Sequence, residues 1–265
     1  MENIISLDGT RIAYHRRGAG APLILVPGSG TANPVAWTGV VPAPLAEYFT
    51  VYAVYRRGRG ESGDGPTYAI EREFEDIEAI VDSVGEPAAL LGHSFGGLCA
   101  LEAALLTRNL RKLILYEPAI PLPGVVLYPE GVIDRMQALL DAGDREGVLI
   151  TLYRDVVQMP PHEIEQLKAS PAWPERIESA HNVLREARAE EQYTFSVQRF
   201  KDLHTSTLLL LGGDSPPFLK RATETVDTAL PNSRIAVMPG QQHTAMYTAP
   251  DLFVHEVLTF LNEPG

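Results

Sequence analysis

The sequence predicts a three-layer α/β sandwich, with helices on both faces of a mostly parallel sheet and a helical cap insertion. Short apolar runs alternate with helical patterns along most of the chain, which favours parallel strands joined by crossover helices. The central runs are apolar at nearly every position, as expected for strands buried on both faces. Between Pro118 and Thr205 this alternation stops. We therefore expect a core of residues 1–119 and 201–265, and a cap of residues 120–200.

The predicted strands and helices follow one another in a regular order. The apolar runs that we interpret as strands occupy residues 11–15, 22–26, 50–55, 88–91, 112–116, 206–211 and 234–238. Residues 70–84 carry an apolar stripe at helical spacing. Residues 95–106 are apolar nearly all round, which indicates a buried helix. A last amphipathic helix covers residues 250–261, with Pro250 in its first turn.

The composition excludes several classes of function. The chain of 265 residues has a net charge of −12 and a single cysteine, Cys99. Nucleic acids and anionic membranes are bound by clustered lysines and arginines, so we expect neither as a partner. One cysteine forms no disulfide framework and no cysteine-based zinc site. The start of the chain lacks a secretory signal, and no apolar stretch approaches the roughly 20 residues that span a bilayer, so we expect a cytoplasmic protein.

The motif Gly92-His93-Ser94-Phe95-Gly96 joins a predicted strand directly to a predicted helix. A Gly-x-Ser-x-Gly motif in that context is typical of a nucleophile elbow. We expect Ser94 on a sharp, strained turn that lifts its hydroxyl clear of the sheet, with glycine at positions 92 and 96 because a side chain there would collide with neighbouring backbone. The helix that starts here would point its free N–H groups at the site.

A serine nucleophile needs a base, which is usually histidine. His243 lies just past the last predicted strand and before the final helix, where an open α/β sheet places its ligand site. We therefore predict His243 as the base. His93 adjoins the serine, but we expect its ring to point away from the hydroxyl. The other histidines are expected on the surface or remote from the site: His15, His162, His181, His204 and His255.

The chain order of Ser94, an acid and His243 resembles the α/β-hydrolase superfamily, and the resemblance extends from about residue 11 to 261. The family's oxyanion hole uses the N–H after the nucleophile and one from the loop after the third strand. Carried over to this sequence, the resemblance implies that the backbone amides of Phe95 and Ser29 form the oxyanion hole. It also implies that the protein is a monomer or a homodimer. Further matching motifs are Val26-Pro27-Gly28-Ser29-Gly30, Arg56-Arg57-Gly58-Arg59-Gly60-Glu61-Ser62 and Pro239-Gly240-Gln241-Gln242-His243.

The resemblance leaves the acid open between two residues. The position that most often supplies it, three residues past Gly212, holds Ser215, which cannot act as a carboxylate. Asp214 lies one residue earlier, in the usual loop. Glu117 follows the strand after the nucleophile helix, a location that some family members use. Either carboxylate would accept the imidazole N–H and stabilise the imidazolium, and we favour Glu117.

Cofactor and metal sites are not expected. Gly58-x-Gly60-x-x-Gly63 matches the dinucleotide fingerprint, but that fingerprint must open a helix at once, and Asp64-Gly65-Pro66-Thr67 reads as a loop. No pair of histidines has metal-binding spacing. Against the family pattern, Pro27 replaces a common histidine and Tyr55 a common aspartate. These departures affect the fine geometry of the site rather than the class of reaction.

The motifs and the resemblance together predict a hydrolase that cleaves a small carboxylic ester, or a related acyl compound, through an acyl-serine intermediate. Thioesterase, lactonase, acyltransferase and cofactor-free perhydrolase activities are alternatives on the same groups. A hydrolase-fold sensor that binds a small molecule with little turnover is a third reading. Each takes a small-molecule ligand. Candidate cleft residues in the cap are Met136, Tyr153, Met159, Trp173, Tyr193 and Phe195.

Overall fold

One eight-stranded sheet organises the chain in this computed structural model, which describes residues 1–32 and 42–264. Its strands are β1 Glu2–Ile5, β2 Arg11–Arg17, β3 Pro22–Val26, β4 Thr50–Val54, β5 Ala88–His93, β6 Leu110–Tyr116, β7 Ser206–Gly212 and β8 Ser233–Met238. They lie side by side in the order β1-β2-β4-β3-β5-β6-β7-β8. The β1 and β2 strands are antiparallel to their neighbours, whereas β4, β3, β5, β6, β7 and β8 are mutually parallel. The predicted mostly parallel sheet is confirmed.

Helices connect most of the parallel strands. Their bounds are α1 Pro42–Leu45, α2 Ile70–Ser83, α3 Phe95–Ala103, α4 Val132–Asp141, α5 Arg145–Thr151, α6 Pro161–Lys168, α7 Trp173–Glu178, α8 Ala180–Gln192, α9 Val197–Phe200, α10 Pro217–Ala229, α11 Ala245–Thr248 and α12 Pro250–Asn262. A π-helical turn, Leu152–Val156, continues α5. Within residues 1–32 and 42–264, no helix is long and apolar enough to cross a membrane.

The sheet has an apolar core on each face. Because successive strand residues point to opposite faces, Leu90 packs in the core covered by α2, α3 and α10, and Leu91 in the core covered by α1 and α12. Helices therefore cover both faces, which confirms the predicted three-layer sandwich. The strand order places β5, and therefore the turn between β5 and α3, in the middle of the sheet.

Most predicted elements begin and end within two residues of the observed ones. The α3 helix stops at Ala103, three residues before its predicted end. The β1 strand was not predicted, because Asn3 and Ile5 are exposed and the run is only four residues long. It pairs antiparallel with β2 at the edge of the sheet. An edge strand that is largely exposed carries no apolar run for the sequence to reveal.

The chain between β6 and β7, here called the inserted segment (residues 117–205), contains α4 to α9 and has an apolar core of its own. Polar contacts join it to the loops after β3 and β4. Arg176 Nη1 donates to the carbonyl oxygen of Gly30 (2.7 Å), and Asn182 Nδ2 donates to that of Gly58 (2.9 Å). Because both loops leave the carboxyl ends of parallel strands, the inserted segment lies at the edge of the sheet where such folds bind ligands.

Candidate active site

Ser94 occupies the turn between β5 and α3 with φ +56° and ψ −125°. A non-glycine residue with positive φ is strained, and such strain is concentrated at functional sites. Two glycines make the turn possible. A Cβ at Gly92 would lie 2.5 Å from the carbonyl oxygen of Gly96, and a Cβ at Gly96 would overlap the carbonyl oxygens of Val26 and Pro27. The turn therefore needs glycine on both sides of Ser94, as the motif predicts.

The imidazole of His243 lies in the loop between β8 and α11, and its side chain is buried. Its Nδ1 is 2.6 Å from Oε2 of Glu117. The Tyr116 hydroxyl fixes this loop on both sides of the histidine, because it donates to the carbonyl oxygen of Gln242 and accepts the N–H of Ala245. A hydrogen bond between Nδ1–H and a carboxylate leaves Nε2 as the nitrogen that can take a proton.

Glu117 is fully buried at the end of β6, with φ +42°. Its second oxygen, Oε1, accepts the N–H of Gly212 (2.7 Å) and the hydroxyl of Ser215 (2.5 Å). Asp214 is exposed, and its backbone N–H donates to the carbonyl oxygen of Gln241. Of the two candidate acids, the structure brings Glu117 to the imidazole and leaves the Asp214 side chain in solvent. The serine at the position usual for the acid instead holds the Glu117 carboxylate.

The expectation for His93 is wrong. Its ring does not point away from the site but packs against the ring of His243, with centroids 4.5 Å apart. Strand alternation explains this, since His93 shares a face of β5 with Leu91 and that face carries the loop of His243. Burial lowers the pKa of His93 well below its usual range. The neutral ring then donates from Nε2 to the His243 carbonyl oxygen, 2.9 Å away.

The two candidate oxyanion residues, Ser29 and Phe95, line one cavity together with Ser94 and His243. The loop after β3 passes very close to the serine, because a Cβ at Gly28 would lie 2.9 Å from the Cβ of Ser94. The Ser29 side chain points to other partners, with its hydroxyl donating to Oε2 of Glu186 (2.7 Å). The candidate oxyanion donors beside Ser94 are therefore the backbone amides of Ser29 and Phe95, not the Ser29 hydroxyl.

A cluster of buried charges supports the loop after β3. This arginine cluster comprises Arg56, Arg57, Arg59, Glu73, Asp76 and Glu186. Arg56 donates to Glu186 Oε1 (2.9 Å) and Glu73 Oε1 (3.2 Å), and its guanidinium lies over the ring of Phe95 with its carbon 4.8 Å from the ring centroid. Despite burial, Arg56 and Arg59 lower the pKa of Glu186. In the sequence these arginines stand out only as part of a motif shared with the family, and no role is predicted for them there.

The cavity beside Ser94 encloses about 670 Å³ of empty space including its opening, a size suited to a small molecule. Tyr153 and Met159 line it, as two of the cap candidates, whereas Met136 and Trp173 pack in the core of the inserted segment. Tyr193 and Phe195 line a separate groove. Two residues that sequence reasoning missed, Arg176 and Glu190, also line the cavity.

Glu190 is an unusual carboxyl group in this cavity. Burial raises its pKa to about 8, so it is mostly protonated at neutral pH. The Tyr128 hydroxyl donates to its Oε2, and its Oε1 has no hydrogen-bond partner among residues 1–32 and 42–264. Within the same residues, no group of three or more histidine, cysteine, aspartate or glutamate side chains could hold a metal ion.

Comparisons with known proteins agree with this architecture. The Alpha/beta hydrolase family matches residues 23–256. An α/β hydrolase structure from Sphaerobacter thermophilus DSM 20745 is 32% identical, with 98% of this chain and 100% of that chain covered and a TM-score of 0.86. An esterase from Rhodococcus sp. ECU1013 shares the fold at 22% identity, with 100% and 99% covered and a TM-score of 0.75.

One curated relative matches over a shorter region. An N-formylmaleamate deformylase from Pseudomonas putida KT2440 is 38% identical over 130 residues. The match covers 47% of this chain and 48% of the relative, so the aligned part spans about half the length of that protein. The family match covers most of the chain, and the mostly parallel sheet with helices on both faces agrees with it. This chain belongs to the α/β hydrolase family.

Proposed function

We propose that the protein hydrolyses a carboxylic ester of a small molecule through an acyl-serine intermediate. The observation that carries this proposal is the 2.6 Å contact between His243 Nδ1 and Glu117 Oε2, at the wall of the cavity that Ser94 also lines. A histidine oriented by a buried carboxylate beside a strained serine is the arrangement that activates a hydroxyl nucleophile.

In the proposed reaction, Ser94 Oγ attacks the carbonyl carbon of the ester while His243 Nε2 takes the hydroxyl proton. The amides of Phe95 and Ser29 donate to the oxyanion of the tetrahedral intermediate, which typically contributes about 3–4 kcal/mol for each donor. The intermediate collapses to an acyl-serine, and His243 returns the proton to the leaving alcohol. His243 then deprotonates a water that attacks the acyl-serine, and it returns that proton to Ser94 Oγ as the C–Oγ bond breaks and the acid leaves.

Ser94 and His243 form no mutual hydrogen bond in the described part of the chain. Such bonds often tighten only in the substrate complex, and the two side chains share one cavity wall. In the proposal, Glu117 is the triad acid, because its Oε1 is fixed by Gly212 and Ser215 while its Oε2 faces the imidazole. Asp214 takes no part in it.

Most of the inserted segment acts in the proposal as a cap. Residues 120–200 form this cap, and residues 1–119 and 201–265 form the catalytic core, which includes Glu117. Support comes from the separate apolar core of the segment and from its contacts with the loops after β3 and β4. A cap over the serine excludes bulk water and strengthens the hydrogen bonds to the oxyanion. A small-molecule substrate and a cytoplasmic location complete the proposal.

Hydrolysis of an N-acyl bond is a second candidate function, and one observation favours it. The 38% identical relative from Pseudomonas putida is described as a deformylase of N-formylmaleamate. The same groups would serve, because a histidine in this arrangement can also protonate a leaving nitrogen. Parallel assays on an ester and on the N-formyl amide of the same acid distinguish the two candidates.

The test is a series of p-nitrophenyl esters from acetate to decanoate, assayed with wild type, Ser94→Ala and Ser83→Ala. Ser83 is an exposed serine at the end of α2 and serves as the matched control. We expect Ser94→Ala to lower kcat by at least ~10⁴-fold, and Ser83→Ala to match wild type. Turnover in Ser94→Ala equal to wild type would contradict the proposal.

A further inference from the structure

Arg176 is a buried cation in the cavity and has no carboxylate partner. Its side chain comes from α7 and is 3% exposed. Four arginines are buried in residues 1–32 and 42–264, and the other three form ion pairs with carboxylates: Arg56, Arg57 and Arg59. No carboxylate forms an ion pair with Arg176 in the described chain, and residues 33–41 contain no aspartate or glutamate. Arg176 therefore differs from every other buried arginine that the structure describes.

The groups around Arg176 orient the guanidinium without neutralising it. Nη1 donates to the carbonyl oxygen of Gly30 (2.7 Å) and to the hydroxyl of Tyr153 (3.1 Å). Nη2 donates to the hydroxyl of Tyr247 (3.0 Å), and Nε has no hydrogen-bond partner among the described residues. An arginine carries five N–H donors, so the donor on Nε and one donor on Nη2 have no partner among the described residues.

A buried charge without a counter-ion is costly, and proteins ordinarily pair such charges. The guanidinium fork matches the geometry of a carboxylate and can donate two parallel hydrogen bonds to it. Arg176 lines the same cavity as Ser94 and His243, and its partner Gly30 adjoins Ser29. A ligand that reaches both Ser94 and Arg176 must carry an acyl group and an anion in one small molecule.

We propose that Arg176 binds a carboxylate of the substrate, so that the enzyme acts on acyl compounds with a second, ionised carboxyl group, such as half-esters of short dicarboxylic acids. This inference rests on the proposed function, because it assigns the substrate class to the same site. The chemistry is unchanged: the ester carbonyl lies at Ser94, and the free carboxylate accepts hydrogen bonds from Arg176.

The charges lining the cavity are compatible with an anionic ligand. His93 is neutral because burial lowers its pKa. Glu190 is mostly protonated at neutral pH, because burial raises its pKa to about 8. Arg176 is then the fixed charge that the cavity wall presents beside His243. A protonated carboxyl group does not repel the substrate anion, whereas an ionised one would.

The test compares mono-p-nitrophenyl esters of malonic to adipic acid with their neutral methyl p-nitrophenyl diesters. We expect wild type to prefer the best half-ester over its diester by about 10- to 100-fold in kcat/KM, the range of a charge-assisted contact. Arg176→Met should remove this preference, and Arg176→Lys should restore part of it. Arg188→Met, which removes an exposed arginine on α8, should leave the preference intact.

Binding of a dicarboxylate to Ser94→Ala tests the inference without a change at Arg176. Titration calorimetry on Ser94→Ala should detect succinate or glutarate, and the double variant Ser94→Ala/Arg176→Met should bind at least about tenfold more weakly. Equal turnover of half-esters and diesters, together with no dicarboxylate binding, would overturn the inference. If neutral esters are hydrolysed and Ser94→Ala abolishes this activity, the proposed function still stands without the inference. If no ester is turned over and Ser94 does not react, the proposed function and the inference are both contradicted.

Discussion

Two groups of buried charges contact the loop that follows β3, and they differ in whether their charges are matched within the protein. In the arginine cluster, Arg56 and its neighbours each face a carboxylate, and Glu186 holds the hydroxyl of Ser29. In the cavity, Arg176 also reaches this loop, at Gly30, but faces only carbonyl and hydroxyl oxygens. We infer that the paired charges of the arginine cluster fix the loop after β3, whereas the unpaired guanidinium of Arg176 is left to bind a ligand.

This comparison predicts that changes to the proposed catalytic groups mainly reduce activity, whereas changes in the arginine cluster mainly reduce stability. The largest expected effect is that of Glu117→Gln, which removes the negative charge facing the imidazole. We expect kcat/KM on a p-nitrophenyl ester to fall about 10³- to 10⁴-fold, because the imidazolium loses its counter-charge and the correct tautomer is no longer enforced. The matched control, Asp214→Asn, should stay within about twofold of wild type. A larger loss in Asp214→Asn than in Glu117→Gln would reverse the assignment.

Arg56→Met tests whether the arginine cluster stabilises the fold. The change leaves Glu73 and Glu186 without their shared arginine in a dry interior. Removing one partner of a buried ion pair costs about 3–5 kcal/mol, so we expect the free energy of unfolding, measured in urea, to fall by that amount. The exposed control Arg188→Met should change it by less than about 0.5 kcal/mol. A loss below about 1 kcal/mol in Arg56→Met would mean that the cluster does not hold the fold.

Glu190, in the cavity, makes the free energy of unfolding depend on pH. Burial raises its pKa from an ordinary 4.5 to about 8, so the folded state keeps a proton that the unfolded state has lost. The facing groups are Tyr128, Glu186 and Arg56. The stabilisation is complete below about pH 4.5 and is lost as pH rises through 8.

The measurement is the free energy of unfolding of wild type relative to Glu190→Gln at several pH values. At about 1.4 kcal/mol for each pH unit, the stability of wild type relative to the variant should fall by about 2–3 kcal/mol between pH 5.5 and 7.5. The subtraction removes titrations common to both proteins, including those of the histidines. A flat difference across this range would show that Glu190 is already ionised.

Ser29→Ala has the smallest expected effect. It removes the hydrogen bond from the Ser29 hydroxyl to Glu186 but keeps the backbone amide. We expect a loss of about 1.5 kcal/mol in stability, the low end of the range for a hydrogen bond to a charged group, and less than about tenfold in kcat/KM. A loss of activity as large as that of Glu117→Gln would assign the hydroxyl itself to the oxyanion hole.

The sequence predicts the core well because its signals are local. Apolar runs and helical stripes each lie within one element, and the Gly92-to-Gly96 turn lies within five residues. Ser94 and His243 are predicted the same way, from motifs at the ends of single strands. The β1 strand escapes prediction because it is short and largely exposed.

The remaining parts of the site depend on contacts between distant residues, which local patterns do not reveal. The choice between Glu117 and Asp214 depends on how the end of β6 packs beside the loop after β7, where Ser215 turns inward. Arg176 and Glu186 lie in the inserted segment, and each contacts a loop of the core more than a hundred residues away, Arg176 at Gly30 and Glu186 at Arg56. No periodic pattern marks such residues, so their roles follow only from coordinates.

The proposed function requires that Ser94 becomes acylated, with His243 as its base. The most direct test is mass spectrometry of the protein quenched during turnover of a p-nitrophenyl ester, followed by peptide mapping. We predict that the acyl group is found on the peptide that contains Ser94, and that it is absent from Ser94→Ala and strongly reduced in His243→Ala. An acyl group on Cys99, or hydrolysis with no acylated Ser94 under conditions that trap the intermediate, would contradict the account.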